Sequence, residues 1–152
     1  MSTESAATSS APSTSSTPEV DWDALHAEAV RMTTLAYAPY SGFPVGVAGL
    51  VDDGRIVSGC NVENAGYGVT LCAECGMVSE LHKTGGGRLV AVACVDKNGT
   101  TLMACGRCRQ LLWENGTPET LVQTPEGVLT LREVLPQAFG RETLDAVSPV
   151  RP

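Results

Sequence analysis

The sequence has few basic residues and no long apolar run. Lys and Arg total 10 against 17 Asp and Glu, which gives a formal net charge of -7. Nucleic-acid-binding proteins usually present a basic patch, so this charge argues against a nucleic-acid partner and favours a small-molecule ligand. No run approaches the roughly 20 apolar residues of a membrane span. Because the N-terminus also lacks the basic and apolar segments of a secretory signal, we expect a cytoplasmic protein with no membrane partner.

Histidine is also scarce, since His26 and His82 are the only two. Each lies in a helical pattern, and we interpret both as surface residues rather than metal ligands. The six cysteines are enough for three disulfides, but a reducing compartment and a Cys-x-x-Cys spacing favour metal binding. Cys60 and Cys94 lie in apolar strand patterns and are interpreted as small buried hydrophobic residues.

The length and composition indicate one domain preceded by a tail. With 152 residues, 43% of them hydrophobic, the chain can form one well-buried domain but not two of typical size. Residues 1–20 are mostly Ser, Thr, Ala, Pro and Glu, a composition that buries too little apolar surface to offset the entropy lost on ordering. We therefore predict a disordered tail over residues 1–20 and a single domain over residues 21–152.

Hydrophobic periodicity after the tail alternates between helices and strands. Helical spacing predicts a first helix that has Asp21 or Asp23 near its N-cap and ends at Pro39. An Asp-Asp-Gly turn at 52–54 predicts an antiparallel hairpin. The predicted order α-β-β-α-β-α-β-β indicates an α/β domain in three layers, with one sheet between helices. The seven elements after the first helix are predicted at residues 45–51, 55–60, 72–84, 89–95, 105–114, 121–123 and 128–131. A last helical turn is predicted at residues 131–135, before Pro136.

Four cysteines lie in two short segments, Cys72-Ala-Glu-Cys75 and Cys105-Gly-Arg-Cys108. Zinc prefers four ligands in a tetrahedron, and a catalytic zinc takes three from the protein and leaves the fourth position to water. Cys72, Cys105 and Cys108, at two predicted helix starts, are well placed to bind one such ion. Cys75 follows Cys72 by one helical turn, so a structural zinc site with four thiol ligands stays open.

Glu74 follows the first of these cysteines by two residues. A carboxylate close to a metal ion, but not bound to it, can take a proton from a metal-activated water and pass it to a substrate nitrogen. A helix that begins at Cys72 also stabilises a thiolate through its dipole and free N–H groups. The pattern therefore predicts that Glu74 is a catalytic proton carrier beside zinc.

Several segments together resemble the small zinc-dependent cytidine deaminases. The likeness covers nearly everything from Leu35 to Phe139. Its pieces are residues 36–41 (Ala-Tyr-Ala-Pro-Tyr-Ser), 59–64 (Gly-Cys-Asn-Val-Glu-Asn), 72–74 (Cys-Ala-Glu), 105–110 (Cys-Gly-Arg-Cys-Arg-Gln) and 135–139 (Leu-Pro-Gln-Ala-Phe). The resemblance implies a three-layer α/β/α cytidine-deaminase-like fold with one mixed five-stranded sheet and one Zn²⁺ per subunit. The implied reaction is the hydrolytic deamination of cytidine and 2′-deoxycytidine to uridine and 2′-deoxyuridine, with release of ammonia, in pyrimidine salvage.

The same resemblance implies roles for individual residues. In the family, the Asn and the first Glu of the Asn-x-Glu-Asn segment hold the ribose 3′-hydroxyl, which maps to Asn61 and Glu63. The phenylalanine of the first turn, here Phe43, lines the pocket, and the alanine before the catalytic glutamate, here Ala73, offers its backbone N–H to the base carbonyl. A late phenylalanine, here Phe139, stacks on the base bound by a neighbouring subunit. A homotetramer with active sites shared between subunits is therefore implied.

Two positions depart from the family's pattern. The family often has an arginine after Cys-Ala-Glu that bonds to the zinc thiolates, whereas this chain has Cys75, and the usual proline before Cys105 is Ala104. Three thiolates and one zinc ion leave a net negative charge, which raises the pKa of a bound water unless positive charge lies nearby. We predict that Arg107 supplies this charge by bonding to a ligand sulfur, with Arg109 as the alternative donor. The alternative that Arg107 is a solvent-facing helix residue stays open.

Two other functions stay open on the sequence. A deaminase of a modified cytosine nucleoside, such as blasticidin S, would share the 105–110 piece, although the Asn-x-Glu-Asn segment speaks against it. A structural zinc module without catalytic activity would need Cys75 as its fourth ligand.

Overall fold

The structure, a computed structural model, describes residues 17–147. The predictions for residues 1–16 of the tail and 148–152 of the domain lie outside the described residues. Among residues 17–147, no helix is both long enough and apolar enough to cross a membrane. The helices are α1 (Trp22–Thr33), α2 (Ala73–Lys83), α3 (Gly106–Asn115), α4 (Leu131–Val134) and α5 (Arg141–Asp145), and the strands are β1 (Val45–Val51), β2 (Ile56–Cys60), β3 (Leu89–Asp96), β4 (Leu121–Thr124) and β5 (Gly127–Thr130).

The five strands form one mixed sheet in the order β2-β1-β3-β4-β5. Strands β1 and β2 form the predicted antiparallel hairpin, and β1 also pairs antiparallel with β3. The β3 and β4 pair is parallel, and β4 pairs antiparallel with β5. A parallel pair needs a crossover connection, which α3 provides between β3 and β4. The predicted mixed five-stranded sheet is confirmed.

Helices cover both faces of this sheet. On one face, Leu25 and Ala29 of α1 pack against Ala48 of β1 and against Ala91 and Ala93 of β3. On the other face, α2 and α3 pack against Val47, Val92 and Cys94. Strand β3 is apolar on both faces because side chains of a strand alternate between the two layers. The predicted three-layer α/β/α arrangement is confirmed.

Two features differ from the predicted elements. Helix α1 begins as expected, with the Asp21 side chain accepting from the N–H of Ala24 at 3.0 Å, but it ends at Thr33 rather than at Pro39. The chain leaves the helix early because Tyr37 pairs with the segment just beyond β2, its N–H donating to the carbonyl of Asn61 at 3.0 Å. Helix α5 and a 3₁₀ turn at Tyr67–Val69 were missed because each is too short to show a period.

A glycine in β1 allows α1 to lie close to the sheet. A Cβ atom at Gly46 would lie 1.9 Å from the carbonyl oxygen of Ala29, far inside normal contact distance. Only glycine therefore fits at this crossing without moving the helix.

Candidate active site

Two helix starts carry the predicted metal ligands. Cys72 is the N-cap residue of α2, and Cys105 is the N-cap residue of α3. Neither side chain makes a capping hydrogen bond, so both sulfur atoms are available to a metal ion. Cys108 lies in the first turn of α3 and is fully buried. The free N–H groups of a helix N-terminus favour negative charge, which suits thiolate ligands at these positions.

The three sulfur atoms lie close enough together to hold one ion. The Sγ atoms of Cys72, Cys105 and Cys108 all lie within 4.8 Å of one another, and those of Cys72 and Cys105 are 4.0 Å apart. With zinc–sulfur bonds of about 2.3 Å, two ligands of a tetrahedral zinc site lie about 3.8 Å apart. The cluster therefore fits zinc. We call these three cysteines the metal-binding group. Within residues 17–147, Cys75 does not belong to it, which argues against a closed four-thiol site.

Burial and mutual contact act differently on the three thiols. Burial raises the pKa of Cys72 and Cys108, so their protonated forms are favoured while no cation is near. Burial also opposes ionisation of Cys105, but hydrogen bonds from the Cys108 N–H and from the Cys108 and Cys72 thiols outweigh it and lower the pKa of Cys105. A bound divalent cation would supply the charge that the thiolates need, and binding would release protons.

Glu74 is buried beside this cluster. It lies in the first turn of α2, and 3% of its surface is exposed. Burial and the nearby Glu74 carboxylate together raise the pKa of the thiols of Cys94 and Cys108. Glu74 lines the same cavity as Cys72, Cys94 and Cys105. Glu74 is not in the metal-binding group, so it lies close to the predicted ion without joining its ligands.

A cavity of about 340 Å³ opens onto Glu74 and the thiol cluster. The predicted residues Phe43, Asn61 and Ala73 line it, whereas Glu63 and Phe139 are not among its lining residues. The sequence prediction missed several of its walls. These are Val45, Thr70, Leu71, Cys94, Leu102, Met103 and Ala104.

Asn61 holds the loop that forms one wall of the cavity. Its Oδ1 accepts from the N–H of Val45 at 2.8 Å, and its Nδ2 donates to the carbonyl of Phe43 at 3.1 Å. The amide thus fixes the turn before β1, including Phe43, whose ring is half exposed.

Glu63 lies in a neighbouring pocket, where it binds the turn at residues 40 and 41. Its carboxylate accepts from the N–H groups of Tyr40 and Ser41 at 2.8 and 3.1 Å, and from the Ser41 hydroxyl. These bonds, led by the one from the Ser41 hydroxyl, lower the pKa of Glu63. Thr70 lines both pockets, so they adjoin each other.

Phe139 lies on the surface of the chain. Its side chain is 56% exposed, and its carbonyl accepts from Nε2 of Gln110 at 2.8 Å. Gln137, two residues earlier, has a φ of 56°, a left-handed conformation that turns the chain before Phe139. The ring is therefore presented outward by an ordered turn rather than toward the cavity of its own chain.

The predicted contact between an arginine and a ligand sulfur is wrong for both candidates. Arg107 donates from Nη2 to Sγ of Cys75, at 3.1 Å, because α2 and α3 start side by side. Arg109 donates instead to two backbone carbonyls, from Nε to Ala104 and from Nη1 to Val134, both at 2.9 Å. Arg109 thus fixes the backbone just before Cys105, where the family's usual proline is missing.

The sequence matches known deaminases over most of its length. Residues 20–124 match the family model described as the cytidine and deoxycytidylate deaminase zinc-binding region. The chain is 57% identical to the cytidine deaminase of Mycobacterium tuberculosis over 127 residues, which are 84% of this chain and 96% of that protein. It is 37% identical to the cytidine deaminase of Halalkalibacterium halodurans over 131 residues, 83% of this chain and 99% of that protein.

Solved structures of cytidine deaminases share the fold. The crystal structure of the enzyme from Mycobacterium leprae matches with a TM-score of 0.77 at 62% identity, covering 78% of this chain and 100% of that one. The structure of the M. tuberculosis enzyme matches with a TM-score of 0.78 at 57% identity, covering 80% and 99%. The fold and the thiol cluster together define a zinc-binding deaminase. The chain belongs to the cytidine deaminase family, so the predicted family, fold and zinc cofactor are confirmed.

Proposed function

We propose that this chain catalyses the hydrolytic deamination of cytidine and 2′-deoxycytidine to uridine and 2′-deoxyuridine, with release of ammonia, as a step of pyrimidine salvage. The observation that carries the proposal is the buried Glu74 carboxylate beside three convergent thiols on the wall of an open cavity. The names and identities of the relatives support the same substrate class.

Cys72, Cys105 and Cys108 are the residues that would hold the zinc ion, one per subunit. Three protein ligands leave the fourth position of a tetrahedral ion open, and two of these three residues line the cavity. When bound, zinc supplies the Lewis acid that activates a water molecule for attack.

Glu74 moves the protons of the reaction. Its carboxylate accepts a proton from the attacking water as the water oxygen bonds to C4 of the cytosine ring, and it passes that proton to N3. It then takes the proton of the new C4 hydroxyl and delivers it to the amino group, whose bond to C4 breaks as ammonia leaves. The product keeps a carbonyl at C4 and a proton at N3, which is uridine.

Backbone and side chains around the cavity orient the nucleoside. Ala73 is the first residue of α2, so its N–H has no partner within the helix and is suited to bind the base carbonyl. Phe43 provides an apolar wall of the cavity, and Asn61 lies at the same wall. We assign Asn61 and Glu63 to the ribose 3′-hydroxyl.

The ribose assignment predicts an effect that depends on the substrate. Glu63→Ala removes a hydrogen bond between a charged group and the substrate, so it should lower kcat/KM for cytidine about 10- to 100-fold. For 3′-deoxycytidine, which lacks the hydroxyl, the loss should be much smaller, and zinc content should not change. Steady-state kinetics with both substrates measure the difference. An equal loss for both would mean that Glu63 acts only by holding the Tyr40–Ser41 turn.

We further assign the chain to a homotetramer in the cytoplasm, with active sites shared between subunits. Exposed apolar side chains on the segments before β1 and before α2 support a subunit interface on that part of the surface. They include Tyr37, Tyr40, Val62, Tyr67, Val69 and Leu71. The outward ring of Phe139 fits a residue that stacks on a base bound by a neighbouring subunit. All six cysteines are unpaired, as expected in a reducing compartment.

The purified zinc-loaded protein tests the proposal directly. It should deaminate cytidine and 2′-deoxycytidine, and the loss of the cytidine absorbance measures the rate. One uridine or 2′-deoxyuridine and one ammonia should form for each nucleoside consumed. Light scattering of the same sample should give the mass of four 15.8 kDa chains. Bound zinc without turnover of either nucleoside would contradict the proposed function and leave a structural role for the metal.

A further inference from the structure

A hydrogen bond joins the two helix starts that carry the predicted zinc ligands. Arg107 lies on α3 between Cys105 and Cys108, and its Nη2 donates to Sγ of Cys75, at 3.1 Å. Cys75 lies on α2, one helical turn after Cys72. The bond therefore connects the helix that provides one ligand with the helix that provides the other two.

The same guanidinium is a positive charge next to an electron-rich centre. The guanidinium of Arg107 bonds to Sγ of Cys75 and belongs to the segment between the predicted ligands Cys105 and Cys108. A zinc ion held by three thiolates keeps a net negative charge, and the Glu74 carboxylate beside it adds more. The other arginine of the segment, Arg109, is held by backbone carbonyls and does not contact a sulfur.

We propose that Arg107 and Cys75 form a clasp that holds the starts of α2 and α3 at the separation that zinc requires and keeps a cation at the thiolate centre. Both are positioning residues, because neither belongs to the thiol group that would bind the ion. The inference rests on the zinc site of the proposed function. It goes beyond that site by assigning two residues outside the ligand set to metal retention.

Zinc release tests the clasp without relying on deamination. The zinc-loaded protein is mixed with an excess of a chromogenic chelator, and the rate of zinc transfer is measured for the wild type, Arg107→Ala, Cys75→Ala and the double variant. Loss of a hydrogen bond with a charged partner changes an equilibrium constant about tenfold or more. Each single variant should therefore release zinc about tenfold faster than the wild type. Because the two residues act as one contact, the double variant should be no faster than Arg107→Ala.

Conservative variants distinguish a positioning role of the two residues from a general destabilisation of the fold. Cys75→Ser keeps an acceptor for the guanidinium and should release zinc at a rate near that of the wild type. Arg107→Gln, which has no charge, provides a second test if Arg107→Ala fails to fold. Arg132→Ala is the matched control, because Arg132 is an exposed arginine whose guanidinium pairs with Glu119 rather than with a thiol.

The possible results lead to different conclusions. Unchanged release from Arg107→Ala would overturn the clasp while leaving the zinc site intact. Fast release from Arg107→Ala with slow release from Cys75→Ala would also overturn it, since the arginine would then act through its charge alone. A wild-type protein that binds no zinc would contradict the proposed function, and the clasp with it.

Discussion

Replacing Glu74 by glutamine is expected to lower kcat by about 10²- to 10⁴-fold, the range typical for loss of a general acid–base residue. Glutamine keeps the shape of the side chain but cannot carry protons from water to N3 and on to the leaving amine. Because Glu74 is not in the metal-binding group, the zinc content of the variant should equal that of the wild type. Steady-state kinetics and metal analysis on the same preparation measure both quantities.

A second glutamate of the same helix provides the control for this experiment. Glu80 of α2 accepts a hydrogen bond from the N–H of Ser58, and glutamine can accept the same bond. Glu80→Gln should therefore keep the wild-type kcat. If Glu74→Gln retained a tenth of the wild-type rate with full zinc, Glu74 would not be the proton carrier.

The fold could be predicted largely because local patterns and tertiary packing agree. Strand β1 was predicted to the residue, since an apolar run is bounded there by Pro44 and by an Asp-Asp-Gly turn. The end of α1 could not be predicted in the same way. Thr34 to Ala38 continue a helical pattern, but Tyr37 instead pairs with Val62, just beyond β2, a contact distant in sequence.

The thiol cluster was predictable from sequence because its members come in short segments at helix starts, where spacing restricts geometry. The hydrogen-bond partners of the charged residues could not be predicted from the sequence. Glu63 reaches back to the Tyr40–Ser41 turn, and Arg107 reaches across to Cys75, in pairs separated by more than 20 residues. The spacing of residues along the sequence does not indicate contacts between such distant positions. For this reason the predicted contact of Arg107 with a ligand sulfur was wrong.

The position of Glu74 depends on a glycine in the neighbouring strand. A Cβ atom at Gly59 of β2 would lie 2.3 Å from the carbonyl oxygen of Ala73 and 2.5 Å from the N–H nitrogen of Met77. Ordinary contact begins at 3.4 Å, so an alanine at this position would displace the start of α2 by about 1 Å. A displacement of this size at a catalytic residue can cost about 10²-fold in rate.

Gly59→Ala is therefore expected to lower the free energy of unfolding by about 1 to 3 kcal/mol, the usual cost of overpacking, and to lower kcat of the folded enzyme about 10²-fold. Gly46→Ala is the matched comparison, because its Cβ atom would collide with α1, on the opposite face of the sheet from the cavity. That variant should be at least as destabilised, since its closest contact is 1.9 Å, yet it should keep a kcat near that of the wild type. Chemical denaturation and kinetics below each unfolding midpoint measure the two effects separately. Equal losses of kcat in both variants would show that the rate follows overall stability and not the placement of α2.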